Sequence, residues 1–313
     1  MSEPQSLTAS RPLHTFAPMN PTQAVNDEFG AHVSSAGGVD KAPARAREIE
    51  SACLQLFTKQ PNRWSEPTVD EGLAEAFSTE RGAHDIQVAG SHDSYLINLA
   101  SPDPTLWERS YQSFRKELER CSALKLDFLV THPGNATDGD LERGIRENAK
   151  GVTQALESVD GPTRVLLELT AGGGTTVGAS FENLAAILEQ IPSHLHARMG
   201  ICFDTCHAFS AGYDLLGGYE EVWERFIQLL GLEWLGLFHM NDSKHPFASR
   251  KDRHEQLGEG TLGPEPFRRI VQDSRFLEIP KILETPKEPD PIGNDLKNLG
   301  LLRGFRSELN RES

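Results

Sequence analysis

The chain has 313 residues, 37% of them hydrophobic and 25% charged, with 46 acidic against 31 basic side chains and a formal net charge of −15. That length supports one large domain with a buried core; no run of 18 apolar residues offers a membrane span, and four scattered cysteines, three of them in apolar runs, do not make a secreted disulfide framework but suit buried thiols in a reducing compartment. The acidity weighs against a nucleic-acid binder with a basic face, although three bound divalent ions would move the balance by about +6, to roughly −9, and net charge says nothing of local patches.

Residues 1–26 are rich in Pro, Ser, Thr, Asn and Gln and lack apolar periodicity, so they read as a disordered tail that is dispensable for activity. A single arginine, Arg11, and no apolar segment speak against a transit or signal peptide. One domain is expected over 27–313. Within it, short β-rich runs at 29–34, 53–59, 86–92, 128–132, 165–170, 200–204, 235–240 and 281–285 alternate with amphipathic stretches at 41–52, 107–126, 141–158, 181–191, 219–230 and 266–273. In 181–191, Phe181, Leu184, Leu188 and Ile191 recur at helical spacing behind Ser180, an N-cap residue type. Eight strands separated by helices predict a (β/α)₈ TIM barrel. A doubly wound sheet is the runner-up, weakened by the lack of a Gly-rich phosphate fingerprint.

Metal-type residues fall at the ends of these runs. His92 closes the third, His132 the fourth, Glu168 lies near the end of the fifth, Asp204 and His207 close the sixth, His239 the seventh and Glu284 the eighth. In a barrel these ends converge on one mouth, and Asp252 and His254 lie in the loop after the seventh run. A single histidine after a strand is more often a solvated or capped side chain. Six successive runs ending this way, with a carboxylate inside VLLELT that burial would penalise unless paired or metal-bound, predict a shared metal site. Five histidines and four carboxylates suit zinc, with manganese or iron as alternatives, and nine ligands are too many for one tetrahedral ion. Two or three ions bridged by a carboxylate would activate water for phosphoester cleavage. Cys206, inside DTCH, is expected to be a packed thiol.

GAHVSSAGG (30–38), HDSYLINLA (92–100), THPG (131–134), LELTAGGG (167–174), DTCHAFSAGYDL (204–215), HMNDSK (239–244), DRHEQLGEG (252–260) and ILET (282–285) resemble the endonuclease IV family of apurinic/apyrimidinic (AP) endonucleases over about 29–285. The resemblance implies a TIM barrel holding three zinc ions, with manganese an alternative at one site. It gives His92 and His132 to the first ion, Glu168 as the bridge to the second, Asp204, His239 and Glu284 to the second, and His207, Asp252 and His254 to the third. His32 matches a family position and is expected to be structural or to touch phosphate. The implied reaction hydrolyses the phosphodiester 5′ to an abasic site in duplex DNA during base excision repair, leaving a 3′-hydroxyl and a 5′-deoxyribose phosphate. Glu168 and Glu284 are the implied catalytic carboxylates, one bridging the ions and the other orienting the nucleophile.

The same resemblance places Tyr95 and Leu96 in the minor groove beside the lesion, where apolar wedges have a physical use. In FTKQPNRW the family carries an arginine two residues before Trp64, and this chain has Asn62 there, with Arg63 beside it as the substitute. Lys59, Arg63, Lys244, Arg250, Lys251 and Arg253 are the candidate phosphate contacts, against the alternative of ordinary solvated charge. Two other readings stand beside the nuclease: a sugar isomerase or epimerase on a related metal barrel, and a non-catalytic lesion-binding protein. A monomer is expected, in the cytoplasm near the nucleoid if the source is bacterial, or in the nucleus if it is eukaryotic.

Overall fold

The structure, a computed structural model, describes residues 28–312; the tail expected over 1–26 lies outside the described residues. The apolar runs form eight parallel strands: β1 (Phe29–His32), β2 (Cys53–Leu56), β3 (Val88–His92), β4 (Phe128–Thr131), β5 (Arg164–Glu168), β6 (Met199–Asp204), β7 (Leu235–His239) and β10 (Lys281–Leu283). Between the last two lies an antiparallel ribbon of β8 (Asp242–Ser243) and β9 (His254–Glu255). Each barrel strand pairs with its sequence neighbours, and β10 returns to β1, so the sheet closes and the doubly wound alternative is excluded. The α-helices of the described residues are α1 (Ala42–Glu48), α2 (Glu71–Ala83), α3 (Pro104–Ala123), α4 (Leu141–Ser158), α5 (Phe181–Gln190), α6 (Thr205–Ala211), α7 (Tyr219–Leu229), α8 (Glu265–Gln272) and α9 (Pro291–Glu312), with four short 3-10 turns between elements. Among the described residues no helix is long and apolar enough to cross a membrane.

The helices form where sequence supplies a stripe and a start. In α4, Asp140 accepts a hydrogen bond from the Arg143 amide at 2.9 Å, satisfying a donor that a helix start leaves open. Ile145, Ala149, Val152 and Leu156 then recur every three or four residues and are buried against the barrel. Each large side chain on such a stripe stabilises the fold by roughly 1.5–3 kcal/mol, so a charge at Val152 would detach the helix. α3 starts before the apolar pattern does, because Asp103 caps it and Pro104 fits the first turn.

Two cores share the strands. Outward side chains such as Leu54, Ala89, Leu129, Val165, Phe203 and Phe238 pack under the helices. Inward side chains Cys53, Val88, Phe128, Val130, Leu166, Cys202, Leu237 and Ile282 plug the lumen. Gly90 has no side chain for a packing reason: a Cβ there would lie 2.0 Å from Cε2 of Phe128, whose ring takes the space. Strand side chains alternate between faces, so the next inward position on each strand, two residues on from the lumen, belongs to the mouth. Those positions are His32, Gln55, His92, His132, Glu168, Asp204, His239 and Glu284. A bulge between Ile201 and Cys202 adjusts β6 against β7 so that Asp204 sits beside His239.

Candidate metal centre

The C-terminal mouth brings all nine predicted ligand-type residues together. Glu168 is fully buried at its centre. One oxygen, Oε2, lies 3.0 Å from His92 Nε2 and 3.2 Å from His132 Nε2; the other, Oε1, lies 3.1 Å from both His207 Nδ1 and His239 Nδ1. His239 Nδ1 is also 3.2 Å from Glu284 Oε2 and 4.0 Å from Asp204 Oδ2. Three convergent groups result: His92, His132 and Glu168; Glu168, Asp204, His239 and Glu284; and His207, Asp252 and His254.

Local folding explains the spacing of DTCH. Asp204 ends β6 and caps α6, its Oδ1 accepting from the His207 amide at 2.7 Å. That bond places His207 one turn in, facing the mouth, and leaves Asp204 Oδ2 for the site, where Asn241 Nδ2 donates to it at 2.7 Å. The third group depends on the ribbon. Pairing of Ser243 with His254 swings Asp252 and His254 back over the mouth, to 3.2 Å from His207 Nε2 for Asp252 Oδ1 and 3.4 Å between that oxygen and His254 Nε2. The ribbon is fixed by Asp242, whose carboxylate accepts from the amides of Ser243, Gly258, Gly260 and Leu262 at 2.7–3.1 Å. A Cβ at Gly260 would lie 2.3 Å from Asp242 Oδ1, which is why LGEG needs glycine there.

Two observations fit this set to divalent cations. The Nε2 atoms of His207 and His254 are buried and have no hydrogen-bond partner, an expensive condition for a polar atom in a folded chain unless it serves a ligand. The donors are imidazoles and carboxylates, the chemistry of zinc and its neighbours. Electrostatics agree. Burial alone would raise Glu168, but the surrounding imidazoles, His239 foremost, hold it well below the usual carboxylate range. Burial disfavours a charged His92, yet its hydrogen bond and charge pairing with Glu168 keep it up at about 10. Burial also works against charge on Asp252 and Glu284, and the adjacent histidines hold both carboxyls below their ordinary values. A cation entering here would displace these ring protons, so uptake would release acid. Cys202 and Cys206 fall within ligand range of two of the groups, but burial lifts both thiols, Cys206 to about 12, and a protonated thiol is a poor ligand. None of the four cysteines is in a disulfide, and all are buried.

Above the cluster is a cavity of about 440 Å³ walled by His32, Phe57, Tyr95, Arg253 and Lys287 among others. A second cavity, about 850 Å³, lies beside α5 and α7 and includes none of the nine residues. Tyr95 is 69% exposed at the rim, its ring edge-on to Phe57 at 5.5 Å; Leu96 is half-buried behind it. Ser94 ties this turn to the loop after β2, donating to the Pro61 carbonyl at 2.6 Å. Arg63 and Asn62 are exposed on that loop, and Lys244, Arg250, Lys251 and Arg253 are exposed on or beside the ribbon. Lys59 departs from the expectation of a phosphate contact. Its ammonium is buried, 2.6 Å from Glu66 and 2.8 Å from Ser113, with Arg120 completing the pair on Glu66 at 2.8 Å. Lys59 holds the loop and has no face left for DNA.

Sequence reasoning misses Gln55, Asn241 and Asp242. Gln55 lies inside a predicted strand in the inward phase of Cys53, the one signal available. Asn241 and Asp242 stand within HMNDSK, where nothing in the pattern marks their roles.

A closed eight-stranded parallel barrel with a polyhistidine–carboxylate mouth defines a class, and the family model for xylose isomerase-like TIM barrels matches residues 43–303. Curated relatives narrow it. Probable endonuclease 4 of Chloroflexus aurantiacus is 45% identical over 280 residues, covering 88% of this chain and 97% of its own; that of Geobacter sulfurreducens is 44% identical over 282 residues, covering 89% and 94%. The solved endonuclease IV from Thermus thermophilus superposes with a TM-score of 0.80 at 34% identity over 90% of this chain and 99% of its own. The chain belongs to the endonuclease IV family of nucleases. A D-tagatose 3-epimerase-like protein, with a TM-score of 0.69 at 18% identity, shares the fold alone.

Proposed function

We propose that the chain is a zinc-dependent AP endonuclease that hydrolyses the phosphodiester 5′ to abasic sites in duplex DNA, leaving a 3′-hydroxyl and a 5′-deoxyribose phosphate, in base excision repair. The observation that carries this reading is the meeting of three ligand groups under one cavity whose rim offers an exposed aromatic, Tyr95, and an exposed cation, Arg253. His92, His132 and Glu168 would hold one ion, Glu168 with Asp204, His239 and Glu284 a second, and His207, Asp252 and His254 a third; zinc is proposed for all three, with manganese an alternative at one. Such a cluster, when bound, supplies an activated water and positive charge for both the attacking and the leaving oxygen of a phosphoester. Glu168 spans the groups with its two oxygens on different histidines. Glu284 faces the centre with Oε2 while Gln55 holds Oε1 at 2.6 Å, so it is oriented to align the attacking water. Tyr95 and Leu96 would enter the minor groove as a wedge, and Arg63, Lys244 and Arg253, exposed on the loops around the mouth, would meet phosphates. A nucleotide without a base leaves the stack at lower cost, which favours an abasic unit in this cavity.

A duplex carrying one tetrahydrofuran abasic analogue tests the proposal, because the analogue cannot undergo β-elimination. Nicking 5′ to the lesion that is lost after long chelation, restored by zinc and absent in Glu168→Ala is the expected result. Intact duplex after incubation with zinc-loaded protein would overturn it and return the lesion-binding reading. The sugar-epimerase reading retains only the shared fold.

A further inference from the structure

Gln55 is fully buried in the barrel mouth, at the inward end of β2, and its amide touches two of the proposed second-ion ligands. Nε2 lies 2.6 Å from Glu284 Oε1. An ionised carboxylate only accepts, so the amide nitrogen must face Glu284 and the amide oxygen must face the other way. That oxygen is 2.9 Å from His239 Nε2. A carbonyl oxygen also only accepts, so His239 must carry a proton on Nε2. The nitrogen left for a cation is Nδ1, and Nδ1 points at Glu168 Oε1, Glu284 Oε2 and Asp204 Oδ2 at 3.1, 3.2 and 4.0 Å. The second amide N–H of Gln55 meets His32 Nδ1 at 3.1 Å, which explains why His32, inward and beside the ligands, is engaged by a neighbour.

We propose that Gln55 is a positioning residue that sets the second-ion site from behind: it fixes His239 with Nδ1 toward the cation and confines Glu284 to a single free oxygen. The inference rests on the metal-centre reading above. Ligand histidines are oriented by the hydrogen bond on their other nitrogen; a carboxylate or a backbone carbonyl is the common partner, and here one side-chain amide serves a histidine and a carboxylate at once. Two ligands, one at the end of β7 and one just after β10, are thereby locked to β2, which lies on the other side of β1 in the closed sheet.

The test uses the full chain loaded with zinc. Gln55→Met keeps the volume and removes all three hydrogen bonds. Its zinc is expected to pass to a competing chelator with affinity weakened by about 10–100-fold for one ion of the set, while the chelated protein melts with wild-type protein. Nitrogen spectra of the histidines are expected to show His239 protonated at Nε2 in loaded wild type and to lose that signature in the variant. Gln55→Glu retains an acceptor for His239 but opposes Glu284, so it should keep the His239 signature and still loosen zinc, which guards against misfolding of the first variant. Wild-type zinc retention in both variants would overturn the role of Gln55 while leaving the centre intact. A wild-type chain that takes up no zinc would sink both readings.

Discussion

At the N-terminal end of the barrel, Lys281 is fully buried, and its ammonium donates to the carbonyls of Phe276 and Ile279 at 2.7 Å each and to Glu28 at 3.3 Å. At the C-terminal end, Glu168 is equally buried, yet His207 and His254 of the same cluster each keep a buried Nε2 that makes no hydrogen bond, with Asp252 only at ion-pair distance from both. Both charges sit in apolar surroundings, Lys281 beside Phe29 and Phe238 of the outer core and Glu168 over the lumen plug. The N-terminal charge is matched by protein groups, and a matched charge has nothing left to bind. The C-terminal cluster is matched only in part, and what is missing has the geometry and charge of cations. Burial therefore does not separate structural from functional charge in this molecule; completeness of pairing does.

The largest expected effect lies at the incompletely paired end. Glu168→Gln keeps the shape but removes the charge shared by four histidines. Cleavage of the abasic analogue should fall by at least about 10³-fold, the consequence of losing several kcal/mol of cation-supported charge stabilisation, and zinc content should drop with it. A variant that cleaves within tenfold of wild type would show that the central carboxylate is structural, like Glu28.

Lys59 sharpens the same distinction, because it lies at the functional end but is paired as completely as Lys281. Its side chain is 1% exposed against Glu66. Lys59→Met should cost about 3 kcal/mol of stability by removing the charge-assisted hydrogen bonds to Glu66 and Ser113, about 1.5 kcal/mol each, while Arg120 stays on Glu66, measured by denaturant unfolding. The salt dependence of DNA binding should not change. A lower salt slope with unchanged stability would restore Lys59 as a phosphate contact.

Much of the barrel is legible in the sequence because its strands are buried on both faces and read as short apolar runs; all eight fall where the runs predict. Seven of the nine candidate ligand residues stand out for the same reason, since a histidine or acid closing an apolar run breaks the pattern. What escapes depends on partners distant in sequence. The β8–β9 ribbon pairs two residues with two, too few for any periodicity, although it is what delivers Asp252 and His254. α2 buries only Phe77, so it carries no apolar stripe; its Asp70 cap is the one available sign. The helix expected over 41–52 ends at Glu48, and Glu50 then turns into positive φ at 60°, which composition does not reveal. Lys59 reads as a DNA contact because loop cations usually are solvated, and Glu66, Ser113 and Arg120 are brought to it only by the fold.

At the completely paired end, pH gives a subtler test. Burial pushes the Lys281 ammonium down from 10.5 to about 8. The unfolded chain then holds this proton more tightly than the folded one, so the group's stabilising increment is present above 10.5 and is lost as pH falls through about 8. Comparing wild type with Lys281→Met cancels the other titrations. As pH rises between those limits, the difference should shift in favour of wild type by on the order of 3 kcal/mol, followed by urea midpoints. A constant difference across that range would mean that Glu28 and the two carbonyls stabilise the charge as well as water does.

The smallest effect belongs to charge that is not buried at all. Arg253 is exposed at the cavity rim, and its Nη1 donates only to its neighbour's carbonyl, that of Asp252, at 2.6 Å. Nothing in the fold depends on its guanidinium, so Arg253→Ala should leave stability within about 0.5 kcal/mol. If it meets a phosphate, its loss releases one fewer set of condensed counterions, and the slope of log affinity against log salt should become shallower by about 1. That slope discriminates where affinity alone does not, since a chain with a net charge of −15 would have to bind DNA through a few local cations. An unchanged slope would place Arg253 among the solvated charges and move the phosphate contacts to Arg63 and Lys244.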